Sequence, residues 1–342
     1  VQPDIPPVLL VVHPGSLGDV LLSLGALRAL RIAWPTHELT LVARGEVAGL
    51  LRACGEVHQA LPIEGATLAQ LLAGPDALPP GLAARLRRCT AAVCWMNDQK
   101  GALRTTLRRS GVGQVIVQSP HSLALHAVHA ADCYLESLRP WGLRPADRPP
   151  VLQIPRPAHL GPDLTDAEIL AVHPGSGSPA KCYDVRRLAL AIASLTGKGA
   201  RTFLILGGPA DDTQIAELQR HLAGVKPSMI LNRDLMAVAA ALGKAHVFVG
   251  HDSGVTHLAA ALGLPTIALF GPTNPSRWAP RGPRVIILRG APCACLGWQQ
   301  VKSCRLRSCL DIPVEQIVTA VEGCLAARRA PEPRLPWSEK VC

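Results

Sequence analysis

The chain has 342 residues, 48% of them apolar but only 3% Phe, Tyr or Trp, and a formal net charge of +10. That length suits two α/β domains and is short for three, and their cores have to be built from Leu, Ala, Val and Ile. Scarce aromatics argue against a stacking reader of nucleic acid, and no apolar run reaches the ~18 residues of a membrane span. The basic surface therefore suits phosphorylated substrates or an anionic membrane face.

In chain order, Val8–Val12 reads as a strand, Val20–Ala33 as a helix with Leu on one face, and Glu38–Val42 as the next strand. Strands at Ala91–Trp95 and Val115–Val117 bracket a helix at Ala102–Arg109. Seven prolines between Arg139 and Pro162 exclude helix and central strand, so 151–162 is read as a linker between domains 1–150 and 163–330. The second domain offers strands at Ile169–His173, Thr202–Leu206, Ser228–Leu231, His246–Val249, Thr266–Phe270 and Val285–Leu288. Helices at Val185–Thr196, Asp212–Leu222, Leu235–Gly243 and Val255–Leu262 lie between them, and an amphipathic helix, Pro313–Arg329, follows before a loose tail from Ala330. Such alternation predicts parallel sheets. The N-terminal VQPDIPPVLLVVHPG lacks the parts of a signal peptide, which predicts a soluble, cytoplasmic protein.

The chain also repeats itself. Val11-Val12-His13-Pro14-Gly15-Ser16-Leu17-Gly18 is echoed by Ala171-Val172-His173-Pro174-Gly175-Ser176-Gly177-Ser178, each after apolar residues and before a helix. That is the first β–loop–α step of two Rossmann-like, doubly wound domains. Near the other end, an apolar strand breaks at Gly250-His251-Asp252-Ser253-Gly254 and runs straight into a helical pattern. Asp252 or Ser253 can cap that helix, Gly254 lets a ligand approach the backbone, and the unpaired first-turn amides suit a diphosphate. Gly207-Gly208-Pro209, Asn232 and Leu235-Met236 stand where strand-end loops border a base. No Walker, H-E-x-x-H or G-x-S-x-G motif is present.

Cys293, Cys295, Cys304 and Cys309 form a C-x-C-x8-C-x4-C cluster that could gather a metal, although C-x-C chelates less well than C-x2-C. Cys54, Cys89, Cys94, Cys133 and Cys182 read as buried or helix-face thiols, since a large chain without a secretion signal is not a disulfide scaffold.

Asp252-Ser253-Gly254, His257-Leu258-Ala259-Ala260-Ala261-Leu262-Gly263 and Phe270-Gly271-Pro272-Thr273 together resemble the sugar-nucleotide site of the glycosyltransferase family 9 heptosyltransferases. The resemblance implies a GT-B fold, two Rossmann-like domains facing across a cleft, with the C-terminal helix often leaning back on the first domain. It implies transfer of a heptose from ADP-heptose to a lipopolysaccharide inner-core acceptor with inversion, without a cofactor or an obligatory metal. A different nucleotide sugar or acceptor, including protein, and a non-catalytic sugar-nucleotide binder are the alternatives.

Asp19 matches the family's Gly-Asp pair and would be the base that takes the acceptor proton; as a residue alone it could equally cap its helix. Ser176 and Lys181 match the positions that contact donor phosphates, with Gly177 amides lining the loop where relatives more often carry a second Thr. Gly254 and Val255 amides would meet the phosphates, Asp252 would accept from sugar or ribose hydroxyls, and His257 would reach a phosphate or sugar oxygen, unless it is a satisfied core histidine. Lys100, Arg104, Arg108 and Arg109 recur on or beside one helix at spacings that put several on a shared face, and Arg85, Arg87 and Arg88 add a second basic run. Both could be solvated surface, or could hold the anionic glycolipid acceptor and the inner leaflet as a peripheral contact; no nucleic-acid partner is expected. Two departures from the family pattern, His13-Pro14-Gly15 for an Arg-containing strand end and Gly25 for a helix proline, would alter acceptor contacts. The family often carries cysteines near Cys293–Cys309, which reads them as structural.

Overall fold

Short runs of Val, Leu, Ile and Ala become the buried inner strands, and the segments between them become the helices that cover both faces. The structure is a computed structural model that describes residues 5–120, 128–144, 150–155, 168–197, 201–222, 224–293, 295 and 297–329. In the first unit β1 (Val8–Val12) leads to α1 (Leu17–Leu22), α2 (Leu24–Ala33), β2 (Glu38–Ala43), α3 (Gly45–Ala53), β3 (Gln59–Pro62), α4 (Thr67–Ala73) and α5 (Pro80–Arg87). It continues with β4 (Cys89–Cys94), α6 (Ala102–Arg109), β5 (Gln114–Val117) and α7 (Ala130–Glu136). The second unit runs β6 (Glu168–His173), α8 (Val185–Thr196), β7 (Arg201–Gly207), α9 (Asp212–His221), β8 (Ser228–Leu231) and α10 (Leu235–Lys244). There follow β9 (Val247–His251), α11 (Gly254–Ala261), β10 (Thr266–Phe270), α12 (Pro275–Trp278), β11 (Val285–Arg289), α13 (Trp298–Ser303) and α14 (Val314–Arg329).

Both sheets are parallel, ordered β3-β2-β1-β4-β5 and β11-β10-β9-β6-β7-β8. In each, the first strand stands where the order reverses: β1 lies between β2 and β4, and β6 between β7 and β9. The loops after β1 and β6 therefore leave the sheets at switch points, where a crevice opens beyond the strand ends. One apolar cluster joins the units, running from Leu9, Val11 and Leu27 to Ala171, Leu242, Phe248 and Leu258.

Four differences from the sequence reading have local causes. The first helix begins three residues earlier, because Ser16 is extended and the Asp19 carboxylate accepts from the Ser16 amide, so Gly18 and Asp19 sit inside its first turn. It also breaks at Ser23, whose hydroxyl donates to the Val20 carbonyl and competes with the helix ladder. The helices α3, α4, α5 and α7 and the strand β3 escaped the reading; α5 starts on Pro80, which suits a first helical position, and β3 is a half-buried edge strand with little apolar signal. Finally, α14 does not return to the first domain: Ile317, Val321 and Leu325 enter the second domain's core beside Ile192, Ile205 and Ile267. Arg201 pairs with Glu168 and with Glu322 of α14, holding that helix to β6 and β7. The tail from Ala330 and most of the proline linker, 156–162, lie outside the described residues.

Candidate functional site

Beyond the ends of β1, β6 and β9, the starts of α1 and α11 abut. A Cβ on Gly18 would stand 3.1 Å from the His257 ring, and one on Gly254 would stand 3.0 Å from Leu17, so both glycines are required by close approach of the two units. This contact floors a cavity of about 440 Å³ lined by Ser16, Gly18, Asp19, Leu22, Gly177, Lys181, Asp252, Ser253, Gly254, His257, Thr273 and Trp278. A second cavity of about 490 Å³ adjoins it through the shared Leu17, Gly177, Ser253 and Gly254.

Asp19 comes from the first unit. Its Oδ2 accepts from the Ser16 amide at 2.9 Å and the Ser16 hydroxyl at 2.7 Å, which aims the carboxylate and leaves it half-buried at the cavity wall. Facing it, Ser253 caps α11 by accepting from the Thr256 amide, so the Gly254 and Val255 amides have no intrahelical acceptor. Lys181 reaches the same cavity from the loop after β6, with Nζ 2.8 Å from Asp252 Oδ2. Thr273 donates to that same oxygen at 2.7 Å. One cation, one helix N-terminus and one half-buried carboxylate thus meet in a cleft large enough for a sugar and a diphosphate.

Two of the predicted donor contacts already have partners within the protein. Ser176 is buried and its hydroxyl donates to the Asp252 carbonyl at 2.7 Å, which ties the two loops together at the edge of the second cavity. Asp252 holds Lys181 and Thr273 through Oδ2, which makes it a partner of the cation before any hydroxyl arrives. His257 is buried, and burial lowers its pKa against the pull of Asp252 and Asp19, so the neutral ring lines the cavity; Nδ1 has no partner among the described residues. His13, in place of a strand-end Arg, is buried against Trp95 and Tyr134 and accepts from the Gly15 amide.

The second cavity gathers Gly207, Gly208, Pro209, Asn232, Leu235 and Val255; Met236 is not among its lining residues. Its wall holds a buried pair, His173 Nε2 to Asp211 Oδ2 at 3.1 Å. Burial pushes the Asp211 carboxyl up, but the His173 hydrogen bond and charge outweigh it and hold the pKa below the usual range. Asp211 fills the space above Gly175, where an added Cβ would stand 1.7 Å from Oδ1. Gly175→Ala is therefore expected to cost about 1–3 kcal/mol by overpacking and to weaken nucleotide retention, as thermal melts with and without ADP would report. A melting temperature equal to that of the parent would refute this packing argument.

Two other histidines fix the direction of the acid response. Burial lowers His251 to about 4, and burial followed by repulsion from Arg281 does the same for His129. Both are neutral when folded and gain a proton near pH 6.5 when unfolded, so their contribution is complete above that pH and is lost as pH falls toward 4. Unfolding free energies from urea titration should fall between pH 7 and pH 5, by at most about 2 kcal/mol per histidine, with the midpoints falling in step. A midpoint that rises over that interval would contradict it.

The predicted basic faces lie elsewhere. Lys100 and Arg108 are exposed and line neither cavity, and Arg104 spends its guanidinium on the Val115 and Val117 carbonyls at the edge strand. Arg85 pairs with Glu38, and Arg88 donates to the Pro6 carbonyl. Sequence reasoning missed Ser16, Thr273, Trp278 and the His173–Asp211 pair. Thr273 and Ser16 stood inside the motifs already singled out, whereas the pair joins residues 38 apart and carries no local signal.

Two Rossmann-like units meeting at a cleft beyond the ends of their first strands make up a GT-B fold. Residues 99–306 match the family described as Glycosyltransferase family 9 (heptosyltransferase), and the chain belongs to that family. It is 36% identical over 99 residues to lipopolysaccharide heptosyltransferase 1 of Pseudomonas aeruginosa, a match spanning 28% of this chain and 26% of that protein. The glycosyltransferase family 9 structure from Veillonella parvula superposes with a TM-score of 0.75 at 20% identity, covering 94% of this chain and 98% of the other. The Escherichia coli ADP-heptose lipopolysaccharide heptosyltransferase II does so with a TM-score of 0.69 at 20% identity, covering 94% and 100%.

Proposed function

We propose that the chain is an inverting glycosyltransferase that moves a heptose from ADP-heptose to an anionic lipopolysaccharide inner-core acceptor. The observation that supports this most is one cavity lined by Asp19 on one side and by Lys181 and the start of α11 on the other, with a second cavity of nucleoside size adjoining it. ADP would place its nucleoside in the cavity of Gly207, Asn232 and Leu235, and its diphosphate against Lys181 and the Gly254 and Val255 amides. Asp19 would take the proton of an acceptor hydroxyl as its oxygen attacks the anomeric carbon, while the bond to the diphosphate breaks on the opposite face. Asp252 would hold Lys181 ready and release it to the developing charge. His257 would offer its neutral ring to a sugar or phosphate oxygen.

Lys181 and the helix amides supply the charge that the leaving group needs, so the step is assigned no divalent cation. Turnover is expected to be the same with added magnesium or with brief exposure to EDTA; a strict magnesium requirement would overturn that assignment. The protein is assigned to the cytoplasm, at the inner face of the membrane where such an acceptor is built; no helix among the described residues is long and apolar enough to cross a membrane. The deciding experiment is a donor screen by mass spectrometry, with a panel of nucleotide sugars against truncated lipopolysaccharides. Transfer of heptose from ADP-heptose is the expected product, and transfer of a different sugar, or to protein, would replace this reading.

A further inference from the structure

Between β11 and α14 the chain makes a lobe, residues 290–310, that its apolar content does not explain. Among its described residues the only α-helix is the six-residue α13, Leu306 is 90% exposed, and Trp298 is 41% exposed. Among the described residues of this lobe, only Cys309 and Leu310 are buried hydrophobic residues. A segment this poor in core needs another source of order.

The lobe's four cysteines converge. The sulfurs of Cys293, Cys295 and Cys304 lie within 4.8 Å of one another, with Cys293 to Cys295 at 2.8 Å and Cys293 to Cys304 at 3.9 Å. Cys309 lines the same small cavity, closed by Ala180, Pro272, Val301 and Leu310. The tight turn Cys304–Arg307 ends on Arg307 in the left-handed region, φ +47°, and directs the Arg307 amide at Cys304 Sγ, 3.5 Å away. An amide aimed at sulfur stabilises a thiolate. Charge agrees, since Arg289, Lys302, Arg305 and Arg307 occur with no Asp or Glu from 289 to 310. Four thiolates around a divalent ion would carry two negative charges, which this basic segment would neutralise.

We propose that Cys293, Cys295, Cys304 and Cys309 hold one tetrahedral, thiophilic metal ion, zinc or mononuclear iron, as a structural centre. Metal–sulfur bonds of about 2.3 Å set tetrahedral sulfur separations of about 3.8 Å, the spacing Cys293 and Cys304 already have. The Cys293–Cys295 pair opens by about 1 Å, within reach of side-chain rotation. Binding releases up to four thiol protons to solvent, and the metal keeps its oxidation state. The weak C-x-C chelate is compensated because the fold brings Cys304 and Cys309 to the same point.

The centre also has a target. The Arg307 guanidinium donates to the Pro179 carbonyl at 3.0 Å and the Cys182 carbonyl at 2.6 Å, on either side of Lys181. The Trp298 ring stands 5.9 Å from Lys181 Nζ. An ordered lobe therefore positions the loop that carries the cation, an inference that rests on the donor-site reading above; the metal site itself does not.

Elemental analysis of the intact protein, purified anaerobically with reductant, should find one zinc or iron per chain. Visible thiolate charge-transfer absorption marks iron, and cobalt substitution of a colourless zinc form gives tetrahedral tetrathiolate bands. Cys304→Ser and Cys309→Ser should lose the ion, while Cys324→Ser, outside the cluster, should retain it. If those variants fail to fold, release of one ion per chain from the unaltered protein by a mercurial, read with a metal-binding dye, gives the same count. Metal removal should lower the melting temperature and weaken ADP binding about tenfold. Chains with no stoichiometric ion and four readily titrated thiols, or with a Cys293–Cys295 or Cys293–Cys304 disulfide, would overturn the site. A full complement of metal with ADP affinity unchanged on its removal would leave the centre standing and remove its link to Lys181.

Discussion

Asp19→Ala is expected to lower turnover by about two to four orders of magnitude, the usual scale of general base catalysis, with ADP affinity nearly unchanged. The separation of effects follows from position. Asp19 belongs to the first unit and faces the cavity across from Lys181, so its removal takes away a proton acceptor and no phosphate contact. Asp19 also accepts two hydrogen bonds from Ser16, and its loss frays the start of α1 by about 1 kcal/mol. Asp19→Asn keeps most of that scaffold and cannot take a proton, so it should lose turnover with little change in melting temperature. Near-normal turnover in the Asn variant would remove Asp19 from the mechanism.

Lys181→Ala is expected to weaken ADP binding by about 1.5–3 kcal/mol, the range for hydrogen bonds to charged groups, and to leave adenosine binding unchanged. The pair with Asp252 places the effect toward the lower end, because the unliganded protein gives up a contact of 2.8 Å when the cation turns to phosphate. Removing Lys181 also leaves the largely buried Asp252 carboxylate with Thr273 alone among its described side-chain partners, a cost in the free protein. Lys181→Ala combined with Asp252→Asn should therefore be more stable than Lys181→Ala by itself. Calorimetric titration with ADP and adenosine decides the matter: equal losses for both ligands would mean that Lys181 does not read phosphate.

The architecture was legible because the central strands, such as β1, β9 and β10, are short and mainly apolar runs, and because the segment after β1 is echoed after β6. Several elements, such as α6, α8 and β10, occur where periodicity put them. What was not legible depended on partners distant in the chain. Gly18 and Gly254 look like helix starts in sequence, yet each is small because the other unit's Leu17 or His257 lies against it. Ser176 reads as a ligand donor, and only the fold shows that its hydroxyl donates to the Asp252 carbonyl, 76 residues away. Likewise α14 shows an amphipathic face but no address, and the second sheet claims it through Arg201 and Glu322. The convergence of the cysteines was hidden for a related reason, since spacing judged two at a time says nothing of a turn that returns Cys304 to Cys293.

The contact between the starts of α1 and α11 also constrains movement. Leu17 against Gly254 and His257 against Gly18 leave no slack for the units to slide, and separating them there would expose a buried imidazole and the apolar seam behind it. Arg277, from α12, adds a brace by donating to the Val128 and Pro120 carbonyls of the first unit. The two halves are therefore expected to part as a lever parts about a fulcrum, with the floor held, the rims swinging and the greatest travel at the loops farthest from Asp19 and Lys181.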